Sequence, residues 1–318
     1  MHPRLRLEWL VSFLAVVESG GFGAAAEETH RSQPRVSSHV AALERTVGVL
    51  LFDRRKRPVE LTQAGAAFAQ HARAVLRRID VAEEDMAEWR GGSRGLVRLG
   101  SYPSASSAFV APLLVQVAKM APEVNVSLIE RSTLELDQAS VQGEIDLYIR
   151  PMQPPPPDGV RTHLLWREDT VLVAPEGHPL VANRADSTPV EIADLVDHPL
   201  ISIGHLEESD PPSFETYASF RAANAVLEPV QATNQPQTLV SMVREGLGLG
   251  VTNRLAVLMT DTTGVRLRQI RAAHNREVAV CWVDDAVFSA STAALLDIIR
   301  SAPLPSGTKP ARLHHSVR

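Results

Sequence analysis

The chain has 318 residues, 44% of them apolar and 22% charged, with a formal net charge of −5. That length exceeds one average domain and implies two or three, and the composition is that of an ordinary folded protein. No apolar run reaches the ~18 residues of a membrane span, and the single cysteine, Cys281, excludes an intramolecular disulfide framework. A cytoplasmic protein with no membrane contact is expected.

Arg4 and Arg6 precede the apolar stretch WLVSFLAVV, and Ala24–Ala26 follow it, which is the outline of a secretory leader. Glu8 interrupts the basic part. Leu10, Phe13, Leu14 and Val17 recur at helical spacing, so the stretch reads as an amphipathic helix from about Leu7 to Glu18. Gly20-Gly21 ends it, and a second helix covers about Gly23–Thr29. A third begins near Ser32, a suitable N-cap, with Pro34 in the first turn, where a missing N–H costs nothing. Val36, Val40 and Leu43 form its buried face, and Arg35, Ser38, His39 and Ala42 point elsewhere. After Gly48, VLLFDRRKRPVELT reads as a hairpin with a basic tip.

Charge is uneven along the chain. Thr29–Arg57 carries seven basic residues against two acidic ones, in a protein that is negative overall. A concentrated positive patch on a short helical unit is the electrostatic footprint of a nucleic-acid binder.

Thr62 can cap the next helix, which runs to about Trp89. Gly65, Phe68, Ala72, Val75, Ile79, Ala82, Met86 and Trp89 alternate steps of three and four, the pattern of a two-helix seam and so of a dimer. RGGSRG then marks a domain boundary.

Beyond it strands and helices alternate. Strands are expected at Leu96–Gly100, Val124–Glu130, Ile145–Ile149, Thr170–Ala174, Leu200–Ile203, Val230–Thr233, Leu249–Val251 and Val278–Val283. Helices are expected at Ala105–Ala121, Leu134–Gly143, Ser213–Asn224, Pro236–Glu245 and Ala290–Ser301. This order implies an α/β fold with mostly parallel sheets, split into two lobes. Pro154–Pro157 reads as an extended connector.

The chain resembles the LysR-type transcriptional regulators over nearly its whole length. The SQP, LE…G…LF.R and LT.AG elements between Phe13 and Gly65 fall at the spacing of that family's winged helix-turn-helix. VRLGSYPSASSAFVAPLL, GEIDLYI, VLVAPEGHPL and LVSMVREGLGLGV are similar to segments of its effector domain. The resemblance implies a winged helix-turn-helix in residues 1–61 and a dimerising linker helix in 62–90. A periplasmic-binding-protein-like domain would follow, with lobe I in 91–165 and 270–303 and lobe II in 166–269. Residues 304–318 read as a disordered tail. Four positions depart from the family pattern: Gly23, Thr29, Ser38 (where Arg is frequent on the reading helix), and GVTNRLA, which replaces a usual Leu-Pro.

On this reading the partner is double-stranded operator DNA. The N-terminal residues of a recognition helix meet base edges in the major groove. Gln33 has an amide suited to adenine, Pro34 an apolar edge for a thymine methyl, and Ser37 and Ser38 short hydroxyls. Arg35 is a donor for guanine or phosphate. Ser32 and His39 complete the candidate face. Arg54, Arg55 and Lys56 are expected on the backbone, and the resemblance implies a minor-groove or phosphate contact for the wing residue Arg57.

A small organic acid is expected as effector, because helix N-termini at strand ends favour anions. The candidate residues are Ser101, Ser104, Ser132, Thr133, Ser202 and Gln235, with Arg150 either pairing a carboxylate or standing as an exposed strand end. The resemblance further implies a homodimer assembling into a tetramer.

The apparent catalytic motifs fail on context. GGSRG at Gly91–Gly95 matches G-x-S-x-G but follows a helix and precedes a strand, and GLGLG at Gly246–Gly250 has the same wrong order. No histidine spacing suits a metal, and no cofactor is expected. The competing reading is a solute-binding or enzymatic α/β protein with an incidental helical N-terminus.

Overall fold

The computed structural model describes residues 5–56, 58–89, 95–182, 188–203, 214–226, 228–271, 273–284, 286 and 288–311. Two compact units are present. One is Met1–Gly95 together with Gln138–Glu144 and Val287–Ala290, and the other is the remainder.

The first unit contains α1 (Leu7–Ser19), α2 (Phe22–Glu28), α3 (Gln33–Val47), the two-residue strands β1 (Phe52–Asp53) and β2 (Glu60–Leu61), and the long α4 (Gln63–Trp89). Gly20 and Gly48 end α1 and α3 in the left-handed region, at φ 72° and 80°, where a Cβ would add strain. Leu10, Phe13 and Val16 of α1 are buried with Val36, Val40 and Leu43 of α3 and Leu51 and Phe52 of the hairpin. The Phe13 ring centroid lies 5.3 Å from that of Phe52 and 5.6 Å from that of Phe68, so one aromatic ties α1, the wing and α4 together. Thr62 caps α4 as its position suggests, accepting from Gly65 N–H at 2.9 Å and donating to Leu50 O at 2.8 Å. A Cβ on Gly65 would sit 2.0 Å from Leu51 O, which explains the glycine of LT.AG as close backbone approach.

Only part of the heptad pattern in α4 is used inside its own unit. Phe68, Ala69, Ala72 and Leu76 pack on the core, whereas Val75 and Met86 are 45% and 55% exposed. Among the described residues no single helix is long and apolar enough to cross a membrane.

Beyond α4 the chain forms β3 (Gly95–Ser101), α5 (Pro103–Ala105), a π turn at Ser106–Val110, and α6 (Ala111–Met120). It continues with β4 (Val124–Glu130), α7 (Thr133–Val141), β5 (Leu147–Pro151), β6 (Val160–Glu168), β7 (Thr170–Pro175), α8 (Pro179–Ala182) and β8 (Leu200–Ile203). Then come α9 (Phe214–Ala222), β9 (Pro229–Thr233), α10 (Pro236–Arg244), β10 (Leu249–Asn253) and α11 (Arg254–Leu258). The last elements are β11 (Val265–Gln269), β12 (Arg276–Val283), α12 (Ala290–Ser301) and β13 (Lys309–Pro310).

The strands form two sheets, of six strands in the order β13-β6-β12-β5-β3-β4 and of five in the order β11-β7-β10-β8-β9. The chain leaves the first sheet at Asp169, between β6 and β7, and returns between β11 and β12. The sheets are mixed rather than mostly parallel. β12 runs antiparallel to β5 and β6, and β7 runs antiparallel to β10 and β11. These are the strands that carry the chain from one sheet to the other, so no helical crossover sets their direction.

β6 and β11 were not expected as strands, because Arg161, His163 and Arg167 interrupt one and Arg266 and Arg268 the other. The expected disordered tail is also corrected in part. Lys309 and Pro310 pair with Arg167 and Trp166 of β6, and Lys309 Nζ reaches Asp169 Oδ2 at 2.7 Å; residues 312–318 lie outside the described residues.

Candidate nucleic-acid interface and effector cleft

The start of α3 is the exposed end of the helical unit. Ser32, Gln33, Pro34, Arg35 and Ser38 are exposed, Ser37 is half-buried, and Val36 and Val40 are fully covered. Ser32 holds the N-cap position at φ −74°, ψ 144°, but its hydroxyl makes no capping bond, so it does not act as the cap its position suggests. Arg35 lies 3.8 Å from Glu8 of α1.

His39 does not belong to this face. Its Nδ1 is 2.8 Å from the Oγ of buried Ser12, and its side chain is 11% exposed. On a helical wheel His39 falls beside Val36 and Leu43, three residues before it and four after, which turns it against α1. Burial, with help from Arg31 and Arg35, holds its pKa below the usual histidine value.

The wing is organised by a residue that sequence reasoning passed over. Glu44 of α3 is 7% exposed. One of its oxygens accepts from the N–H groups of Leu51 and Phe52 at 2.9 and 3.3 Å, and the other accepts from Arg54 Nη2 at 3.0 Å. The Arg54 guanidinium lies 5.5 Å from the Phe22 ring centroid, so Arg54 braces the wing as well as charging it. Arg55 pairs with Asp53 through two 3.0 Å bonds, and these bonds pull the Asp53 carboxyl down to about 2. Lys56 pairs with Glu60. Arg54, Arg55 and Lys56, the residues expected on the DNA backbone, each carry an acidic neighbour that a phosphate would have to replace. Arg57 lies outside the described residues.

In the second unit a cleft of about 460 Å³ opens where strand ends and helix starts of both sheets converge. Of the candidate effector residues, Ser104, Ser132, Thr133 and Gln235 line it. Ser101 and Ser202 do not, although each directly precedes a lining residue, Tyr102 or Ile203. Successive strand residues face opposite ways, so an error of one position moves a side chain off the wall. Ser101 is fully buried with its hydroxyl 3.4 Å from Tyr102 O, and Ser202 shares the face of Leu200 rather than that of Ile201.

Arg150 is neither a cleft residue nor an exposed strand end. It is fully buried, its Nη1 is 2.8 Å from Asp137 Oδ1, and the same oxygen accepts from Tyr148 Oη at 3.0 Å. Nearby Cys281 is buried, and burial pushes its thiol up to about 12, which fits a structural residue.

Other cleft residues were not singled out from sequence. Arg276 of β12 is 8% exposed, with its guanidinium 5.9 Å from the Tyr102 ring centroid. Tyr102 Oη and Trp166 Nε1 both donate to Glu168 Oε1 at 3.0 Å, behind that ring. Arg131 lies at the end of β4. Thr252, within the unusual GVTNRLA segment, is 1% exposed, and its hydroxyl has no hydrogen-bond partner among the described residues.

The helix starts at the cleft differ. At α7, Ser132 N–H donates to Glu135 Oε2 at 2.8 Å. At α10, Gln235 is the N-cap; its side chain makes no capping bond, and its own N–H donates to Thr233 Oγ1 at 3.1 Å.

A helical reading unit joined to a two-sheet α/β unit with a polar cleft defines a class: DNA-binding proteins governed by a small ligand. Residues 7–66 match the bacterial regulatory helix-turn-helix protein, lysR family, and residues 90–303 match the LysR substrate binding domain. The chain belongs to the LysR family of transcriptional regulators.

It is 31% identical over 249 residues to the HTH-type transcriptional regulator AlsR of Bacillus subtilis, covering 77% of this chain and 79% of that one. It is 28% identical over 287 residues to the probable regulator LrrA of Synechococcus elongatus, covering 90% and 93%. Among solved structures it resembles full-length OxyR from Pseudomonas aeruginosa, with a TM-score of 0.72 at 24% identity, covering 98% and 100%. It also resembles full-length CbnR complexed with its target DNA, with a TM-score of 0.63 at 20% identity, covering 93% and 99%. These relatives are transcriptional regulators and not enzymes, and the same holds for this chain, whose second unit is an effector-binding domain.

Proposed function

We propose that this regulator reads an operator with the start of α3 and that a small organic acid in the cleft controls it. Gln33, Pro34, Ser37 and Ser38 are the base-reading residues, with Ser32 and Arg35 beside them. Arg54, Arg55, Lys56 and Arg57 meet the DNA backbone. Support for the DNA reading comes from the exposure of Ser32–Arg35 and Ser38 over the buried pair Val36 and Val40.

The effector reading rests above all on the cleft wall, where helix starts, hydroxyls and two arginines converge. Ser104, Ser132, Thr133 and Gln235 are its contact residues. The two-lobe division at about residues 166 and 270, and the reading and linker units at 1–61 and 62–90, form part of the same proposal. So does a cytoplasmic homodimer joined through α4, whose Val75 and Met86 would meet a second copy, and its pairing into a tetramer.

A mobility-shift titration with DNA from upstream of the protein's own gene, repeated with a panel of carboxylates, tests the reading. The full chain should bind that DNA, and at least one carboxylate should change the complex. Binding only by neutral compounds would remove the organic-acid assignment. Light scattering should give a dimer or tetramer that Met86→Glu weakens.

A further inference from the structure

The two walls of the effector cleft are not equivalent toward an anion. The start of α7 already holds a carboxylate, because Glu135 Oε2 accepts from Ser132 N–H at 2.8 Å. Glu130 lines the same wall. A ligand carboxylate placed there would meet two acidic side chains and would have to displace one of them. The start of α10, on the opposite wall, is different. It is a nine-residue helix whose N-cap side chain, Gln235, makes no capping bond, and the Gln235 N–H donates to the neutral Thr233 hydroxyl at 3.1 Å, so its dipole faces the cleft without a chain-derived anion. Thr252 lines that wall, 1% exposed, with a hydroxyl that lacks a hydrogen-bond partner among the described residues. A buried hydroxyl in that state is stabilised by any ligand oxygen that engages it.

Resting on the reading of this cleft as the effector site, we propose that its ligand is an amino acid, held with its carboxylate at the start of α10 beside Thr252 and its ammonium toward Glu130 and Glu135. The charges that line the cleft among the described residues agree with this: Arg131 and Arg276 are matched by Glu130 and Glu135, a balanced set that suits a ligand carrying both signs. A plain dicarboxylate would answer the arginines and leave the two glutamates opposed.

The test is isothermal titration of the full chain with the twenty common L-amino acids and, for each, its deaminated acid. At least one amino acid should bind tenfold or more tightly than its deaminated counterpart. Thr252→Val should weaken that amino acid about tenfold. Glu135→Gln, at an exposed position that a folding defect does not threaten, should reduce the preference for the amino acid over the deaminated acid. If deaminated acids bind as well as amino acids, or if Glu135→Gln tightens them, the proposed orientation is wrong while the organic-acid reading stands. If no member of either series binds, both readings fall.

Discussion

Glu44 offers the sharpest test of how the fold positions the DNA-reading surface. Its carboxylate satisfies two wing-base amides, Leu51 and Phe52, and holds Arg54, which in turn lies over Phe22. Glu44→Ala leaves both amides without this partner. A buried group that loses its hydrogen-bond partner costs ~1–3 kcal/mol. Two amides therefore give about 2–6 kcal/mol, before any contribution from Arg54, whose half-exposed pair adds at most ~1 kcal/mol. At ~1.4 kcal/mol per factor of ten, even the lower bound opens the wing base roughly 30-fold more often. Hydrogen exchange of the full chain, read at Leu51 and Phe52, should accelerate by at least that factor, while amides in α12 exchange as before. DNA affinity should fall in parallel, because the wing would no longer be held against α3. Unchanged exchange at these two amides would refute the idea that Glu44 anchors the wing.

Other outcomes follow from the same structure. Gln33→Ala should cost ~1–3 kcal/mol at one base pair and relax specificity there, as seen in a titration against single-base operator variants. Asp53→Asn releases Arg55 from its carboxylate, so DNA affinity should rise and depend more steeply on salt; an unchanged salt slope would place Arg55 away from phosphate. Gly65→Ala drives a Cβ toward Leu51 O and should destabilise the helical unit by ~1–3 kcal/mol or more, read as a lower melting transition. His39 binds a proton less readily folded than unfolded, so the unfolded state takes up more protons near and below pH 6.5. Stability of the helical unit should therefore fall as pH drops through that range. His39→Asn, which retains a partner for Ser12, should flatten the loss.

The residues that were readable in advance are those whose role is local. Pro34 and Gly48 mark the ends of α3 because their effects act on their own backbone, and Thr62 announces the cap it makes. Glu44 was not readable. Its partners are amides seven and eight residues on, in a wing whose fold decides whether they meet it. His39 was misplaced by one step around the helix, and Ser101 and Ser202 by one step along a strand, because residue type carries no parity. Arg276, Thr252 and Arg131 come from three separate strand ends, and only the two-sheet topology brings them to one cleft. β6 and β11 were hidden by arginines, of which Arg268 is 97% covered and donates to Val181 O at 2.9 Å.

The central claim is that a ligand in the cleft and DNA at α3 act on one another. The direct measurement pairs a DNA titration, with and without a saturating cleft ligand, with a ligand titration in the presence and absence of operator DNA. Coupled sites must shift one another's affinity by the same factor. The account predicts a reciprocal change, accompanied by an altered footprint on the operator. A ligand that saturates the cleft yet leaves DNA affinity and footprint unchanged, and whose own affinity ignores DNA, would contradict it.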